Sequence, residues 1–238
     1  DERFTRLIEA LIDQVDTIWI VDNGSQASIL EGVVGLAGQS DDRIILIPNL
    51  ENHGLAAAQN QGITAALEAR PSWILLMDHD SIPAPNMVRE MLLAARAYPA
   101  PEKIGFMVPR HDDDRGFPSA SVFTYRSFRV LRWGTIEPGR VEDRAAFAMA
   151  SGCLIPAERL RQVGPMTEDF FIDYIDYDFS FRVRRAGYRI IVVGAASLKH
   201  RLGELREGRF LWRVKSYKEH SAKRRYTIYR NRIRVMIR

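Results

Sequence analysis

Two aspartates, Asp78 and Asp80, stand one residue apart directly after the short apolar run from Trp73 to Met77. The run has the length of a buried strand, so both carboxylates would leave one end of a sheet from a rigid support. Ligands of open α/β sheets bind in the crevice beyond the carboxyl ends of the strands. Carboxylates at this spacing suit a hard divalent cation that also holds phosphate oxygens. A solvated turn is the alternative, because Asp and the following Ser-Ile-Pro are ordinary loop residues.

A third carboxylate, Asp22, follows another apolar run, Ile18 to Val21, which is rich in β-branched residues and predicts a buried strand. At the end of that strand it could accept hydrogen bonds from a base N–H or a ribose hydroxyl. The alternative role is local, since Asp22 could cap the next helix or shape an Asx turn. The residues alone favour neither of these two roles for Asp22.

The loop from Asn52 to Gly54 precedes an alanine-rich segment, residues 55–68, that favours a helix. A glycine before a helix N-terminus lets backbone N–H groups approach an anion, and the helix dipole assists. A lone glycine is weak support for such a site, and no phosphate loop with a lysine is present. Asn60, in the same predicted helix, could simply face solvent.

The stretch 170–178 embeds three carboxylates, Asp173, Asp176 and Asp178, among Phe, Tyr and Ile residues. Apolar surroundings penalise an ionised group and raise the pKa of a carboxyl toward the range useful to a general base. Asp178 has an ordinary explanation, because Arg182 lies four residues later on a predicted helix and would pair with it. Asp176 could be only a helix N-cap.

His200 follows the predicted strand 189–193 and its short extension, in what the neighbouring residues predict to be a turn. A lone histidine is more often structural than a ligand. With one carboxylate and phosphate oxygens, however, an imidazole would suit Mn²⁺ better than Ca²⁺.

Predicted strands and helices alternate along the first half of the chain, which implies crossover units and a mainly parallel sheet. Residues 1 to about 110 therefore resemble a nucleotide-binding α/β half, and the following part is richer in loops. Strands are predicted over 18–21, 44–47, 73–77, 104–108 and 189–193, and helices over 4–15, 55–68, 157–163 and 176–186, with one more after Pro85.

The composition is that of an ordinary globular protein, with 46% hydrophobic and 27% charged residues among 238. The single cysteine, Cys153, excludes an internal disulfide framework and a cysteine-based zinc site. No apolar run reaches the roughly 20 residues needed to span a bilayer, and no signal peptide is recognisable. The chain opens without methionine inside a predicted helix, so we expect a stretch upstream.

The net charge of +4 hides an asymmetry between the two ends of the chain. Residues 199–238 contain 14 Lys and Arg against three Asp and Glu, a net of +11, whereas residues 1–198 carry a net of −7. A basic tail on an acidic body predicts a polyanionic partner for the tail. Nucleic acid, an anionic membrane surface and anionic lipid-linked substrates all fit that description.

Seven segments, in order along nearly the whole chain, match a known family: IVDNGS, NHGLAAAQNQG, LLMDHDSIP, ASGCLI, FFIDYIDYDFSFRVRRAGY, LKHRLGE and RRYTIYRNRI. One such motif is weak, but seven in register are highly specific. Together they resemble the inverting family 2 glycosyltransferases of GT-A fold, and in particular the bacterial rhamnosyltransferases. The resemblance implies a Rossmann-like, mainly parallel central sheet flanked by helices, a loop-rich acceptor half and a helical C-terminal tail.

The resemblance also implies a role for each candidate residue. Donor binding falls to Asp22, Asn52, Gly54 and Asp78, metal binding to Asp80 and His200, catalysis to Asp176 with Asp173 as runner-up, and the acceptor side to Ser151 and Gly152. The metal would be Mg²⁺ or Mn²⁺ on the donor diphosphate. Asp176 would remove the proton of the acceptor hydroxyl, and transfer would invert the anomeric configuration.

One departure is that the family normally begins with a strand ending in a Tyr-Asn-Pro-like turn, and that strand is absent here. Residues 1–205 would form the catalytic domain, with a nucleotide-sugar half over 1–110 and an acceptor and catalytic-base half over 111–205. Residues 206–238 would form a basic, amphipathic helical segment. This segment could lie on anionic lipid as a peripheral membrane anchor, or pack on the catalytic domain with its charges in solvent.

The implied function is transfer of a sugar, rhamnose by resemblance alone, from a dTDP- or UDP-linked donor to a glycan or lipid-linked acceptor. The implied location is cytoplasmic, at the inner face of the membrane if the tail binds lipid. A sugar-nucleotide nucleotidyltransferase is one rival, but it should show a Gly-rich phosphate loop. A nucleic-acid-binding module is another, but the tail has no recognisable nucleic-acid fold motif, so nucleic acid is not an expected partner.

Overall fold

The computed structural model describes residues 2–39, 42–112, 122–126, 129–134, 136–200, 205–210, 213–218 and 220–237. The helices are α1 (Glu2–Leu11), α2 (Ala27–Gln39), α3 (Leu55–Glu68), α4 (Met87–Ala97), α5 (Ala157–Val163), α6 (Ile175–Arg185) and α7 (Ala222–Met236). The strands are β1 (Ile18–Asn23), β2 (Ile44–Asn49), β3 (Trp73–Leu76), β4 (Ser81–Pro83), β5 (Ile104–Asp112), β6 (Val122–Arg126), β7 (Arg129–Gly134), β8 (Val141–Glu142), β9 (Cys153–Pro156), β10 (Arg189–His200), β11 (Leu205–Phe210) and β12 (Arg213–Lys218).

The central sheet has six strands, in the order β3-β9-β5-β10-β4, with β8 also paired to β10. Its pairing is more mixed than the mainly parallel sheet expected from the alternation of elements. Within it β5 and β10 run parallel, whereas β9, β4 and β8 pair antiparallel with their neighbours, and β1 and β2 form a separate parallel pair. An apolar run such as Cys153-Leu154-Ile155 predicts a buried strand but not its direction, which explains the difference.

Alternating side chains of β5 and β10 enter two separate cores, one on each face of the sheet. Phe106 and Ile190 lie in the core covered by α3, α5 and α6, and Met107 and Ile191 in the core covered by α4. All four are at most 1% exposed. Burial of each contributes about 1.5–3 kcal/mol, so the two strands whose ends carry His111 and His200 are firmly held.

A third core lies under α1, which packs Leu7, Ile8 and Leu11 against Ile18 of β1 and Ile44 of β2. The amphipathic pattern predicted for 4–15 is therefore confirmed, although the regular helix ends at Leu11. This cluster also contacts Leu75 and Met77, which joins the β1–β2 pair to the edge of the central sheet at the strand that precedes Asp78.

The C-terminal segment is only partly helical. Strands β11 and β12 pair antiparallel, with Leu205 opposite Lys218 and Phe210 opposite Arg213. The helix predicted from residue 206 onward is wrong for β11 and β12, and it is confirmed for α7. Strand pairing satisfies the backbone of two six-residue segments directly, whereas a helix that short, with Gly208 inside it, would be marginal.

The turn predicted beside His200 falls on residues 201–204, which lie outside the described ranges. In the part of the chain that the structure describes, no helix is both long and apolar enough to cross a membrane.

Candidate metal and catalytic site

Asp78, Asp80 and His200 come together where β3 and β10 end. One potential ligand atom from each lies within 4.8 Å of the others, and His200 Nδ1 is 3.9 Å from Asp80 Oδ1. The antiparallel register places Ser81 opposite His200, which explains how residues 120 positions apart meet. Two carboxylates and one imidazole form a donor set that fits Mg²⁺ or Mn²⁺ and leaves room for phosphate oxygens.

The buried hydroxyls of Ser81 and Ser151 link the ends of the strands that carry this acidic cluster. Ser151 Oγ donates to Ser81 Oγ at 2.9 Å and accepts from the backbone N–H of Asp78 at 3.2 Å, and Ser81 Oγ is 2.8 Å from His200 Nδ1. The two serines are 2% and 0% exposed. His111 Nε2 lies 3.1 Å from the carbonyl of Ser151. The sequence did not predict Ser81 or His111 as site residues, although Ser81 directly follows Asp80.

Ser151 and Gly152, predicted on the acceptor side, lie beneath the acidic cluster. Gly152 has φ +82°, and a Cβ there would sit 2.8 Å from Pro109 Cγ, so this turn requires glycine. Its N–H donates to the carbonyl of Leu76 at 2.8 Å, which joins the turn to β3. These contacts orient the strand end that carries Asp78, and acceptor binding by the two residues stays a prediction.

Burial controls the charges of the cluster. The pKa of Asp78 is raised, mainly because its carboxyl is desolvated; Asp80 raises it further, whereas His200 lowers it. Burial lowers the pKa of His111 to about 4, so this imidazole is neutral near pH 7. The raised pKa of Asp78 means that protons compete with a cation for this site as the pH falls.

Asp176 lies in the first turn of α6, where burial of its carboxyl raises its pKa to about 7. The backbone N–H of Tyr177, 3.0 Å from Asp176 Oδ1, opposes that rise, and the charges of Asp78 and Asp173 add to it. An apolar cavity of ≈ 10 Å³ adjoins it, lined by residues that include Leu76, Cys153 and Phe179. A carboxyl with this pKa can take and release a proton near neutral pH.

Asp173, the alternative base, is engaged elsewhere. Arg224 of α7 donates to both of its carboxylate oxygens, from Nε at 3.0 Å and Nη2 at 3.1 Å. The two candidates for the base therefore differ in environment: Asp173 is bound by Arg224, whereas the carboxyl of Asp176 is desolvated.

The donor-side candidates Asp22, Asn52 and Gly54 lie on the loops that follow β1 and β2. Asp22 is buried and accepts from the Ser25 N–H, three residues on, at 3.1 Å, so its carboxylate shapes the local turn. Asn52 Oδ1 accepts from the Gly54 N–H at 2.9 Å and from Nδ2 of Asn23 at 3.2 Å. These bonds hold the loop before α3. Contact of all three with a nucleotide stays a prediction.

Two polar residues of the same region are structural. Asn60 does not face solvent: its side chain donates to the Met166 carbonyl and accepts from the Met166 N–H, at 2.9 and 2.8 Å. Asp178 pairs with Arg182 at 2.8 Å, which confirms the ordinary ion pair predicted from their spacing.

Comparison with known proteins gives a matching family and several relatives. The family model described as glycosyl transferase family 2 matches residues 2–153. The chain is 24% identical over 201 residues to the dTDP-rhamnosyl transferase RfbF of Shigella flexneri, covering 83% of this chain and 64% of that protein. It is also 24% identical over 224 residues to the N-acetylglucosaminyl-diphospho-decaprenol L-rhamnosyltransferase of Mycobacterium tuberculosis, covering 84% and 71%. The chain thus spans less than two thirds of the Shigella protein.

Solved structures with the same fold include GalNAc-T7 with UDP, GalNAc and Mn²⁺, at a TM-score of 0.66 and 13% identity over 84% of this chain and 41% of that chain. S. aureus TarS superposes at a TM-score of 0.59 and 13% identity, over 83% and 34%. At such identities the likeness concerns the fold, which is of the GT-A type. Because the family model covers more than half of its residues, this chain belongs to glycosyl transferase family 2.

Proposed function

We propose that this chain transfers a sugar from a nucleotide-diphosphate donor to an acceptor hydroxyl, with Asp176 as the general base and inversion at the anomeric carbon. The observation that carries the proposal is the juxtaposition of two unlike acidic groups. A carboxyl of pKa about 7 lies within electrostatic reach of Asp78 in the cluster suited to a divalent cation. Asp176 suits proton transfer, and the cluster that contains Asp78 suits a cation that binds a diphosphate.

Asp78, Asp80 and His200 would hold Mg²⁺ or Mn²⁺, which when bound offsets the charge that develops on the leaving diphosphate. Ser81 and Ser151 would orient that cluster through the hydroxyl chain. Residues that hold ligating side chains in place commonly matter almost as much as the ligands themselves.

Asp176 would take the proton of the acceptor hydroxyl as that oxygen bonds to the anomeric carbon and the bond from this carbon to the diphosphate oxygen breaks. A single displacement inverts the configuration, as in glycosidases whose carboxylate acts as a base. Asp173 is the weaker candidate for the base, because Arg224 already donates to both of its carboxylate oxygens.

The donor would be linked to dTDP or UDP, with Asp22 near the base and Asn52 and Gly54 near the nucleotide. The names of the Shigella and Mycobacterium relatives favour rhamnose as the sugar, and the Mycobacterium name favours a lipid-linked acceptor. Transfer to such a glycan or lipid-linked acceptor would serve cell-surface polysaccharide synthesis. Residues 1–205 would form the catalytic unit, with the nucleotide-sugar half over 1–110. Family membership favours this function over a nucleotidyltransferase or a nucleic-acid-binding module.

A thermal-shift panel of nucleotides and nucleotide sugars, with and without Mn²⁺ or Mg²⁺, tests the donor class. Preferential, cation-dependent stabilisation by dTDP or UDP is expected, because selective binding to the folded state raises its stability. Asp80→Ala should abolish the cation dependence. Product NMR then tests inversion: a product with the anomeric configuration of the donor would contradict the mechanism.

The outer face of α7 supports a second proposal, peripheral binding to an anionic membrane on the cytoplasmic side. The helix carries six Lys and Arg and no Asp or Glu. Five apolar residues, each at least 60% exposed, share the side opposite buried Asn231 at helical spacing: Tyr226, Tyr229, Ile233, Met236 and Ile237. Exposed Arg225 and Arg232 lie along one edge of this stripe. An apolar stripe bordered by cations suits the interface of an anionic bilayer.

Flotation of the protein with vesicles tests this surface. Binding to phosphatidylglycerol-containing vesicles, and little binding to pure phosphatidylcholine, is expected, with a several-fold loss for the Tyr229→Ser/Ile233→Ser variant. Ile29→Ser on α2, also an exposed apolar residue, is the matched control. Equal binding of the double variant, or a concentration-dependent dimer that the double variant abolishes, would replace the membrane with another partner.

A further inference from the structure

Residues 170–174, here called the base loop, lead directly into the helical turn that carries Asp176. Three of them, Phe171, Asp173 and Tyr174, have φ of 62°, 65° and 68°. Residues other than glycine rarely adopt this left-handed conformation, so contacts from outside the loop must hold it.

Asn231 of α7 supplies such contacts. Its side chain is fully buried, and Nδ2 lies 2.9 Å from each of three carbonyl oxygens, those of Phe170, Ile172 and Asp173. An amide group has two N–H hydrogens, so these three acceptors share them. Asn231 Oδ1 in turn accepts from Arg230 Nε at 3.0 Å. The amide is thus used on both sides and has one possible orientation.

Two arginines on the same helix hold the ends of the loop. Arg224 binds both oxygens of the Asp173 carboxylate, and Arg230 donates to the carbonyls of Asp169 and Phe170 at 3.0 and 3.3 Å. Charged donors make hydrogen bonds stronger than those between neutral groups. The basic residues on this side of α7 therefore serve the body of the protein.

The base loop also contacts the donor side. The Phe171 carbonyl accepts from the Leu55 N–H at 2.6 Å, at the start of α3. Its ring lies so close to Gly54 that a Cβ on that residue would be 2.6 Å from Phe171 Cδ2. One strained segment thus connects α7, the N-terminal end of α3 and the turn that carries Asp176.

We propose that Asn231 and Arg224 are positioning residues for transfer: by holding the base loop, they place Asp176 against the acceptor hydroxyl. This inference rests on the proposed function of Asp176 and assigns the inner face of the basic tail a part in catalysis. It is separate from the membrane proposal, which concerns the outer face of the same helix.

The test compares Asn231→Leu and Arg224→Gln with the wild type in transfer assays that use a water-soluble acceptor. Each variant should lose about ten- to a hundredfold in kcat, the scale expected when a catalytic group is misplaced by about 1 Å. Nucleotide affinity should change less than kcat. Lys223→Gln, an exposed cation on the same helix, should transfer normally.

Arg224→Lys, which keeps the charge but loses the two-pronged geometry, should recover part of the loss in kcat. Arg224 is exposed, so its variants should fold even if Asn231→Leu does not. Wild-type kcat in folded Arg224→Gln, or losses that match only the unfolded fraction seen by circular dichroism, would overturn the positioning role. Full turnover by Asp176→Asn would instead overturn the proposed function, whatever the α7 variants do.

Discussion

Arg224 and Asp173 form a two-pronged ion pair, with N···O distances of 3.0 and 3.1 Å, across 51 residues of sequence. The pair joins the C-terminal helix to the loop that carries the candidate base. It also distinguishes Asp173 from Asp176, two carboxylates that look equivalent in the sequence Asp-Tyr-Ile-Asp. Asp173 is bound by a cationic partner, whereas desolvation raises the pKa of Asp176 to about 7.

Substituting these two aspartates should give unequal results. Asp176→Asn should lower kcat by about 10²–10⁴-fold, the usual contribution of a general base, while nucleotide binding persists. Asp173→Asn keeps a hydrogen-bond acceptor for Arg224 and should cost less. Steady-state transfer kinetics, with calorimetry of nucleotide binding, measure both effects. A larger loss in Asp173→Asn would move the base to Asp173.

Transfer should also depend on pH with an acidic limb. The proposed base acts only when deprotonated, so activity should rise with pH and level off above the pKa of Asp176, about 7 in the free protein. A cation bound near Asp78 would move this limb toward lower pH, because positive charge favours the carboxylate. Profiles of kcat/KM at several Mn²⁺ concentrations measure it. A flat profile from about pH 5 to 9 would argue against a carboxyl base.

The same group should make stability depend on pH. Its folded-state pKa lies above the ordinary value of 3.8, so the folded protein binds the proton more tightly and its free energy of unfolding falls as the pH rises from about 4 to about 7. Asp176→Asn removes that cost, an upper bound of about 4 kcal/mol for three pKa units.

Melting temperatures in chelator at pH 5 and pH 8 measure this linkage. Asp176→Asn should gain more at pH 8 than at pH 5, whereas the exposed substitution Glu9→Gln should change little at either pH. Equal gains for Asp176→Asn at the two pH values would mean that Asp176 is already ionised throughout.

Ser81→Ala should weaken cation binding although no hydroxyl is proposed as a ligand. The substitution removes the group 2.8 Å from His200 Nδ1 and leaves Ser151 without its acceptor. Losses of about 10–100-fold in metal affinity are typical for such supporting groups. Titration of Mn²⁺ in the presence of dTDP or UDP, followed by electron paramagnetic resonance, gives the affinity. With Asp80→Ala as the reference for a lost ligand, unchanged affinity in Ser81→Ala would exclude the supporting role.

Gly54→Ala and Gly32→Ala should have opposite effects. Gly54 has φ +90° and faces the Phe171 ring, so an added methyl group should destabilise the protein by about 1–3 kcal/mol and disturb the base loop. Gly32 lies in α2 with open space around it, and alanine there should stabilise by up to about 1 kcal/mol. Chemical denaturation measures both. A neutral Gly54→Ala would show that this contact yields easily.

Sequence by itself determined the local features of this protein. Strands ending in carboxylates, the alanine-rich helix α3 and the Asp178–Arg182 pair all follow from short-range patterns, because periodicity reports which side of an element is buried. Seven motifs in order also indicated the family, which the family model over residues 2–153 establishes.

Only the tertiary structure decided which distant groups meet. An apolar run does not state its direction, so the insertion of β9 between β3 and β5 could not be foreseen. Asn60 appeared free to face solvent, yet it binds Met166 across 106 residues. Asn231 was one polar residue in a basic tail until its three carbonyl partners were known. Such contacts, and the desolvation that raises the pKa of Asp176, arise from packing between remote segments, which no local pattern encodes.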